Sequence, residues 1–300
     1  MNKFSVVLSN GKEIKGIEFK ASNPRANLLI ITGMDEHSSR YKDFALRLND
    51  ENISVSILDH FGQGENISDI SEIEKVPHGS WNMEIEGLKL KIDELKKNNI
   101  PVFLMGHSMG SFSTQCFIQR YPKYVNGVII MGTNGDNNKL MIKLGRVLSK
   151  ICARGKRWDK QAKLMEKATL GPFVKAVKNR KTDLDWLSYN EENVKNYLND
   201  PLSGAPNTNG FLYEMMYGLS TLYVKKNLLK LSPEEKILIV SGEDDPVGAN
   251  SKGPISLSKL YKKYGVKDVK IIIYRKMRHE ILNENNSEQV IKDILEFIRW

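Results

Sequence analysis

Five residues, Gly106-His107-Ser108-Met109-Gly110, carry the strongest chemical signal in this chain. They stand between an apolar run, Pro101 to Met105, and a run from Ser111 to Arg120 patterned as helix. A serine at the tip of a tight strand-to-helix turn has its hydroxyl exposed. Glycines on both flanks remove Cβ atoms for which the strained backbone and the close strand-helix approach leave no room. Three fixed positions of this kind recur by chance in about one chain in ten of this length. The residues that could serve the serine must therefore be found.

A serine hydroxyl is a weak nucleophile until a base takes its proton, and the base needs an acid to fix its tautomer and stabilise its cation. Ligands of parallel α/β sheets collect beyond the carboxyl ends of the strands, so each partner should follow a strand directly. The apolar run Ile237 to Ser241 leads into Gly242-Glu243-Asp244-Asp245-Pro246, and the run ending at Tyr274 leads to Arg278-His279-Glu280. Of the five histidines, His279 takes the base role. His107 packs behind the turn, His60 precedes the serine in the chain, His78 lies in a polar loop, and His37 belongs to a separate motif. Glu243, Asp244 and Asp245 compete as the acid, and Asp245 is favoured as the last carboxylate before Pro246, whose fixed φ stiffens the loop. The plain alternative for this run is a polar surface turn.

The elements that must position these residues can be read from periodicity. Val6 to Leu8 and Ile14 to Phe19 form a hairpin around Asn10-Gly11. Leu28 to Ile31, Ile53 to Leu58, the run before the elbow, Gly127 to Met131, Ile237 to Ser241 and Val269 to Tyr274 are buried strands. Helices fall between them, from about Tyr41 to Asn49, along the stripe Trp81, Ile85, Leu88, Ile92 and Leu95, from about Ile255 to Tyr264, and from about Glu288 to Arg299. Strands alternating with helices imply a mostly parallel sheet covered on both faces. The alternation stops between Gly132 and Ser232. The domain reading is an α/β core over 1–134 and 233–300, interrupted by a helical insertion over 135–232.

Composition bounds the rest. The start of the chain lacks the apolar core of a signal peptide, and no apolar run approaches the roughly 20 residues of a membrane span, so the chain reads as soluble and cytoplasmic. Cys116 and Cys152 are too few for a disulfide framework and lack metal-ligand spacing. The net charge of +9 is confined to one place: residues 135–232 hold 18 basic and nine acidic side chains, while the remainder balances at 27 of each.

Four stretches make the chain resemble the branch of α/β-hydrolase fold serine hydrolases that contains monoacylglycerol lipases and lysophospholipases. They are Thr32 to Tyr41, Asp59-His60-Phe61-Gly62-Gln63-Gly64, Gly106 to Gly110, and Gly242 to Gly248 together with Arg278 to Glu284. The resemblance implies Ser108 as nucleophile, Asp245 as acid and His279 as base, in the order expected of that fold. It implies an oxyanion hole made by the backbone N–H groups of Met34 and Met109, with His37, Arg40 and Tyr41 holding the first of these loops. Thr32 stands where the family often has His, and Asp35 where it has Gly or a small residue. The implied activity is hydrolysis of a small acyl ester, a monoacylglycerol or lysophospholipid, through an acyl-enzyme, with no metal or organic cofactor. An aminopeptidase or acyltransferase with the same triad competes, and a catalytically silent lipid- or partner-binding module is the contrasting class.

The resemblance makes the insertion a lid over the acyl pocket. From Lys139 to Lys181 it holds 14 basic residues against Asp159 and Glu166. Leu140, Leu144, Val147 and Ile151 form one helical stripe flanked by Met141 and Leu148, with Lys139, Lys143, Arg146 and Lys150 on another side. Such a helix suits peripheral contact with an anionic membrane, or its stripe packs on the core while the lysines are solvated. No motif supports nucleic-acid binding. Phe211, Leu212, Tyr213, Met215, Met216, Tyr217 and Leu219 are candidates for an acyl pocket or for the core of the insertion.

Overall fold

The computed structural model describes residues 1–136 and 139–299; Asn137, Asn138 and Trp300, which fall within the predicted segments, lie outside the described residues. Strands β1 (Asn2–Val7), β2 (Glu13–Phe19), β3 (Ala26–Ile31), β4 (Ile53–Leu58), β5 (Val102–His107), β6 (Gly127–Met131), β7 (Lys236–Gly242) and β8 (Asp268–Tyr274) join in one sheet. Their order is β1-β2-β4-β3-β5-β6-β7-β8. The predicted hairpin pairs β1 with β2 antiparallel, β2 pairs antiparallel with β4, and all later pairings are parallel.

Strand alternation builds two cores. Leu29, Ile31, Leu104, Ile130 and Ile239 face one side and pack with helices α2 (Ser80–Lys96), α3 (Met109–Arg120) and α10 (Lys252–Lys263). Leu28, Ile30, Phe103, Met105 and Val240 face the other side and pack with α1 (Lys42–Asp50) and α11 (Ser287–Ile298). Because both faces are covered, the central strands read in sequence as unbroken apolar runs. The edge hairpin, covered less completely, keeps exposed positions along β1.

Between β6 and β7 the chain forms α4 (Lys139–Cys152), α5 (Lys163–Thr169), α6 (Gly171–Ala176), α7 (Glu191–Asn199), α8 (Asn209–Leu222) and α9 (Lys225–Leu228). The orientation of α4 differs from the reading in which its apolar stripe packs inward. Ile142, Gly145, Arg146, Ser149 and Cys152 form the side turned toward the protein, while Leu140, Leu144, Val147 and Ile151 are exposed. Arg146 accordingly leaves the lysine side: its guanidinium stacks on the Tyr213 ring at 4.1 Å and donates to the Tyr213 hydroxyl at 3.0 Å. Gly145 brings α4 close to α8, since a Cβ there would stand 2.9 Å from the Met216 sulfur.

Packing is tight where β5 turns into α3. A Cβ on Gly106 would strike the Gly110 carbonyl, and one on Gly110 would strike the carbonyls of Ile31 and Thr32. Backbone atoms cannot swing aside as a side chain can, so Gly110→Ala is expected to lower stability by at least about 1–3 kcal/mol. Urea unfolding followed by circular dichroism checks this.

Candidate functional site

Ser108 follows β5 directly and precedes the first turn of α3, with φ 50 and ψ −116. A non-glycine residue held at positive φ is strained, and the strain is sustained by fixing both neighbours. Here the Ser108 N–H donates to Met131 O at 3.0 Å, on the adjacent strand β6, and its carbonyl accepts from the Ser111 hydroxyl at 2.6 Å. The side chain is left at the carboxyl end of the sheet, facing a cavity.

His279 comes to the same cavity from the loop after β8. Its Nδ1 stands 3.1 Å from both carboxylate oxygens of Asp245, in the loop after β7. Asp245 is fully buried, and its Oδ1 also accepts the Val247 N–H at 2.9 Å. Of the three competing carboxylates, Asp245 alone meets His279; the Asp244 carboxylate instead accepts from the Tyr189 hydroxyl at 2.9 Å. The imidazole of His279 has the His107 ring at 4.8 Å and the Trp186 ring at 5.3 Å.

The other histidines occupy structural positions. His60 is buried between Glu84 Oε2 at 3.0 Å and the Thr32 carbonyl at 2.8 Å. His37 meets Asp200 at 2.6 Å, and His78 stacks on Trp158 at 3.6 Å. His107 lies behind the turn, with its Nδ1 2.8 Å from Glu36 Oε1.

Glu36 is the residue that sequence reasoning missed. Its Oε1 accepts from the Gly33 N–H, from the Tyr41 hydroxyl at 2.7 Å and from His107, while Arg40 reaches its Oε2 at 3.1 Å. Burial alone would raise the carboxyl's pKa, but His107, Arg40 and the Tyr41 hydroxyl outweigh it and hold Glu36 below the ordinary carboxylate range. Arg40 continues the network to both oxygens of Glu280, at 2.7 and 2.8 Å, one residue beyond His279. Arg40 and Tyr41 thus brace the loop after β3, as the resemblance implied. The available signal for Glu36 was an acidic side chain placed directly after an aliphatic strand, three residues past Gly33.

The chain between β6 and β7 grips the His279 loop. Leu187 O accepts the Glu280 N–H at 2.7 Å, and Asp185 O accepts from Arg278 at 2.6 Å. It also encloses a cavity of about 780 Å³, lined mainly by apolar groups including Met34, Phe112, Leu148, Phe173, Met215 and Leu219. Met215, Met216 and Leu219 of α8 therefore line this cavity, while Phe211 and Leu212 belong to the core.

A mostly parallel sheet of eight strands, with a Gly-x-Ser-x-Gly turn after β5 and an aspartate-histidine contact beyond β7 and β8, defines an α/β-hydrolase. Residues 22–286 match the model of the Hydrolase_4 family, described as serine aminopeptidase, S33, and the chain belongs to that family. It is 22% identical over 290 residues to a monoacylglycerol lipase of Mycolicibacterium smegmatis, covering 92% of this chain and 89% of that enzyme. It is 24% identical over 270 residues to human monoglyceride lipase, covering 87% of this chain and 77% of that one. A thermostable carboxyl esterase from Bacillus coagulans, solved in complex with glycerol, superposes with a TM-score of 0.89 at 26% identity, covering 99% of this chain and 97% of that one.

The Glu36–His107 contact has a defined pH signature. Glu36 is held below its ordinary 4.5, so its contribution is complete above that pH and is lost as the pH falls. His107 is lowered by burial but raised more by Glu36, to a net value above 6.5, so its contribution is complete below that pH and is lost as the pH climbs. Glu36→Gln is expected to cost about 3 kcal/mol, because it leaves a buried partner unpaired. The stability difference from the native chain should be widest between 4.5 and 6.5 and narrow on either side. Denaturation at a series of pH values measures it.

Proposed function

We propose that this chain is a serine hydrolase of carboxylic acyl esters, with monoacylglycerols or lysophospholipids as its substrate class. The observation that carries the reading is the convergence of Ser108 and the Asp245-bound His279 on one end of a large apolar cavity. Ser108 Oγ attacks the ester carbonyl while His279 takes its proton and passes it to the leaving alcohol. Asp245 holds Nδ1 and stabilises the imidazolium. Glu36 and Met131 already occupy the N–H groups of Gly33 and Ser108, and those of Met34 and Met109 serve the oxyanion. Each such donor contributes about 2.7–4 kcal/mol in comparable sites. Water then attacks the acyl-enzyme by the same route in reverse.

The cavity supports an acyl substrate because it buries a hydrocarbon chain beside the serine, and its methionines adapt to flexible chains. In this reading the segment from α4 to α9 is a lid. Its rim is formed in part by Met141 and Leu144 of α4, both exposed as well as lining the cavity. Leu140 is 70% exposed and Val147 60%, and Lys139, Lys143 and Lys150 lie beside them. An apolar stripe bordered by cations suits peripheral docking at an anionic lipid surface, each basic side chain adding about 1 kcal/mol. Among the described residues no helix is long and apolar enough to cross a membrane.

A second reading keeps the triad and changes the bond, since the family's description names an aminopeptidase. A peptide's free amine needs a carboxylate in the cavity, and Asp35 and Glu166 are available.

Ser108→Ala is expected to abolish fluorophosphonate labelling and to lower kcat for monoacylglycerol esters by about 10⁴-fold or more. Faster turnover of amino-acid arylamides than of acyl esters by the native chain would establish the aminopeptidase instead. Unlabelled native protein without activity would leave a binding module.

Vesicles carrying phosphatidylglycerol should co-sediment the protein at low salt. Val147→Glu combined with Ile151→Glu should release it while hydrolysis of a water-soluble short-chain ester persists. Equal binding of the native and doubly substituted chains would exclude α4 as the docking element.

A further inference from the structure

The lining of the apolar cavity includes acidic side chains. Asp35 and Glu166 both line it. Asp35 follows Met34, the proposed oxyanion donor, and is held at φ 60, a conformation that aspartate and asparagine tolerate better than most residues but that still costs energy. Its backbone is pinned there: the Asp35 carbonyl accepts from the Tyr197 hydroxyl at 2.7 Å and from the Gly204 N–H at 2.9 Å.

The side chain is only half satisfied. Asp35 is 7% exposed, its Oδ2 accepts from Asn207 Nδ2 at 3.1 Å, and its Oδ1 is buried with no hydrogen-bond partner among the described residues. Leaving a buried acceptor unmade costs about 1–3 kcal/mol. The charged neighbours of Asp35 among the described residues include Glu166, Glu36 and Glu74, all acidic. Burial pushes the carboxyl up to about 7, the Asn207 hydrogen bond opposes this, and Glu166 and Glu36 add to it. A strained, buried, half-paired carboxyl at the edge of a cavity is missing a donor that a ligand would bring.

We propose that Asp35 is a specificity residue that accepts a hydrogen bond from a free hydroxyl of the leaving alcohol, so that esters of polyols are preferred to esters of simple alcohols. This rests on the ester hydrolase reading and deepens it. Asp35 directly follows Met34, the proposed oxyanion donor, and lines the same cavity as Ser108 and His279, which is what brings its carboxyl to the site of a bound ester. A hydroxyl is neutral and can donate to a carboxylate or to a carboxyl's carbonyl oxygen, so it does not require the group to be ionised. An ammonium would need the carboxyl ionised.

The test compares monooctanoylglycerol, ethyl octanoate and 2-aminoethyl octanoate, equal in acyl chain and different in the alcohol. In the native chain the glycerol ester should exceed the ethyl ester in kcat/KM. Asp35→Ala should reduce that ratio by about tenfold or more, through the glycerol ester. Asp35→Asn keeps the shape but must turn its amide oxygen to Asn207 Nδ2 and present N–H to the ligand, which the hydroxyl can meet only as acceptor, so the ratio should fall less there than in Asp35→Ala. A ratio within twofold of the native value in both variants, with both esters turned over, overturns the proposal and leaves the esterase reading standing. Loss confined to the aminoethyl ester overturns it in favour of an ammonium anchor. If the native chain hydrolyses none of the three, the esterase reading fails and this inference with it.

Discussion

One ionised carboxylate, Glu36, sets where three loops meet. The Gly33 N–H, the Tyr41 hydroxyl, His107 and Arg40 all converge on it. Through Gly33 it shapes the turn after β3, through His107 it backs the Ser108 elbow, and through Arg40 and Glu280 it reaches the residue beside His279. A buried charge is tolerated only when it is paired and hydrogen-bonded, and these four donors meet that condition together. The loop after β3 is therefore rigid because its geometry is what keeps Glu36 satisfied. Fixed donors are what an oxyanion site requires, since dipoles that need no reorganisation stabilise charge most effectively.

The insertion and the core depend on each other in the same way. Leu187 O holds the Glu280 N–H beside His279, the carbonyls of Asp185 and Ser188 take the Arg278 guanidinium, and Tyr189 N–H closes the loop onto Glu284 at 3.0 Å. Asn193 of α7 adds a donor to Glu280 at 2.6 Å. The segment that lines the cavity thus also braces the loop that carries His279. These contacts to the His279 loop come from the chain after α6.

The parallel strands were legible because burial on both faces writes a plain signal, a short run dominated by aliphatic residues. Ile53 to Leu58 and Gly127 to Met131 coincide with β4 and β6 to the residue. Ser108, Asp245 and His279 could be singled out as candidates because strand ends and chain order restrict where such residues can stand, and the structure brings Asp245 to His279 and puts Ser108 and His279 on one cavity. Asp245 was separable from Asp244 only by the fixed turn at Pro246, and the structure places it, not its neighbour, at His279. Glu36 was hidden because its importance is a matter of convergence: its partners lie 3, 4, 5 and 71 residues away, and no periodicity connects them. The direction in which α4 faces was hidden for another reason. An amphipathic pattern defines two sides of a helix without saying which side meets protein.

That ambiguity is resolved by what the inward side must fit. The side of α4 that meets α8 carries Gly145 against Met216 and Arg146 across Tyr213, with Tyr217 also beneath the guanidinium at 5.2 Å. A glycine admits close approach, and a guanidinium stacked on aromatic faces is less costly to bury than an ammonium. Lysine in place of Arg146 would lose the planar stacking. With the small and stackable residues inward, Leu140, Leu144, Val147 and Ile151 have only the outside left, where an apolar stripe of this size is unfavourable in water. The same helix lines the cavity with Leu148 and rims it with Leu144. Met141 and Leu144 are thus both exposed on the exterior of α4 and part of the lining of the cavity that Ser108 faces.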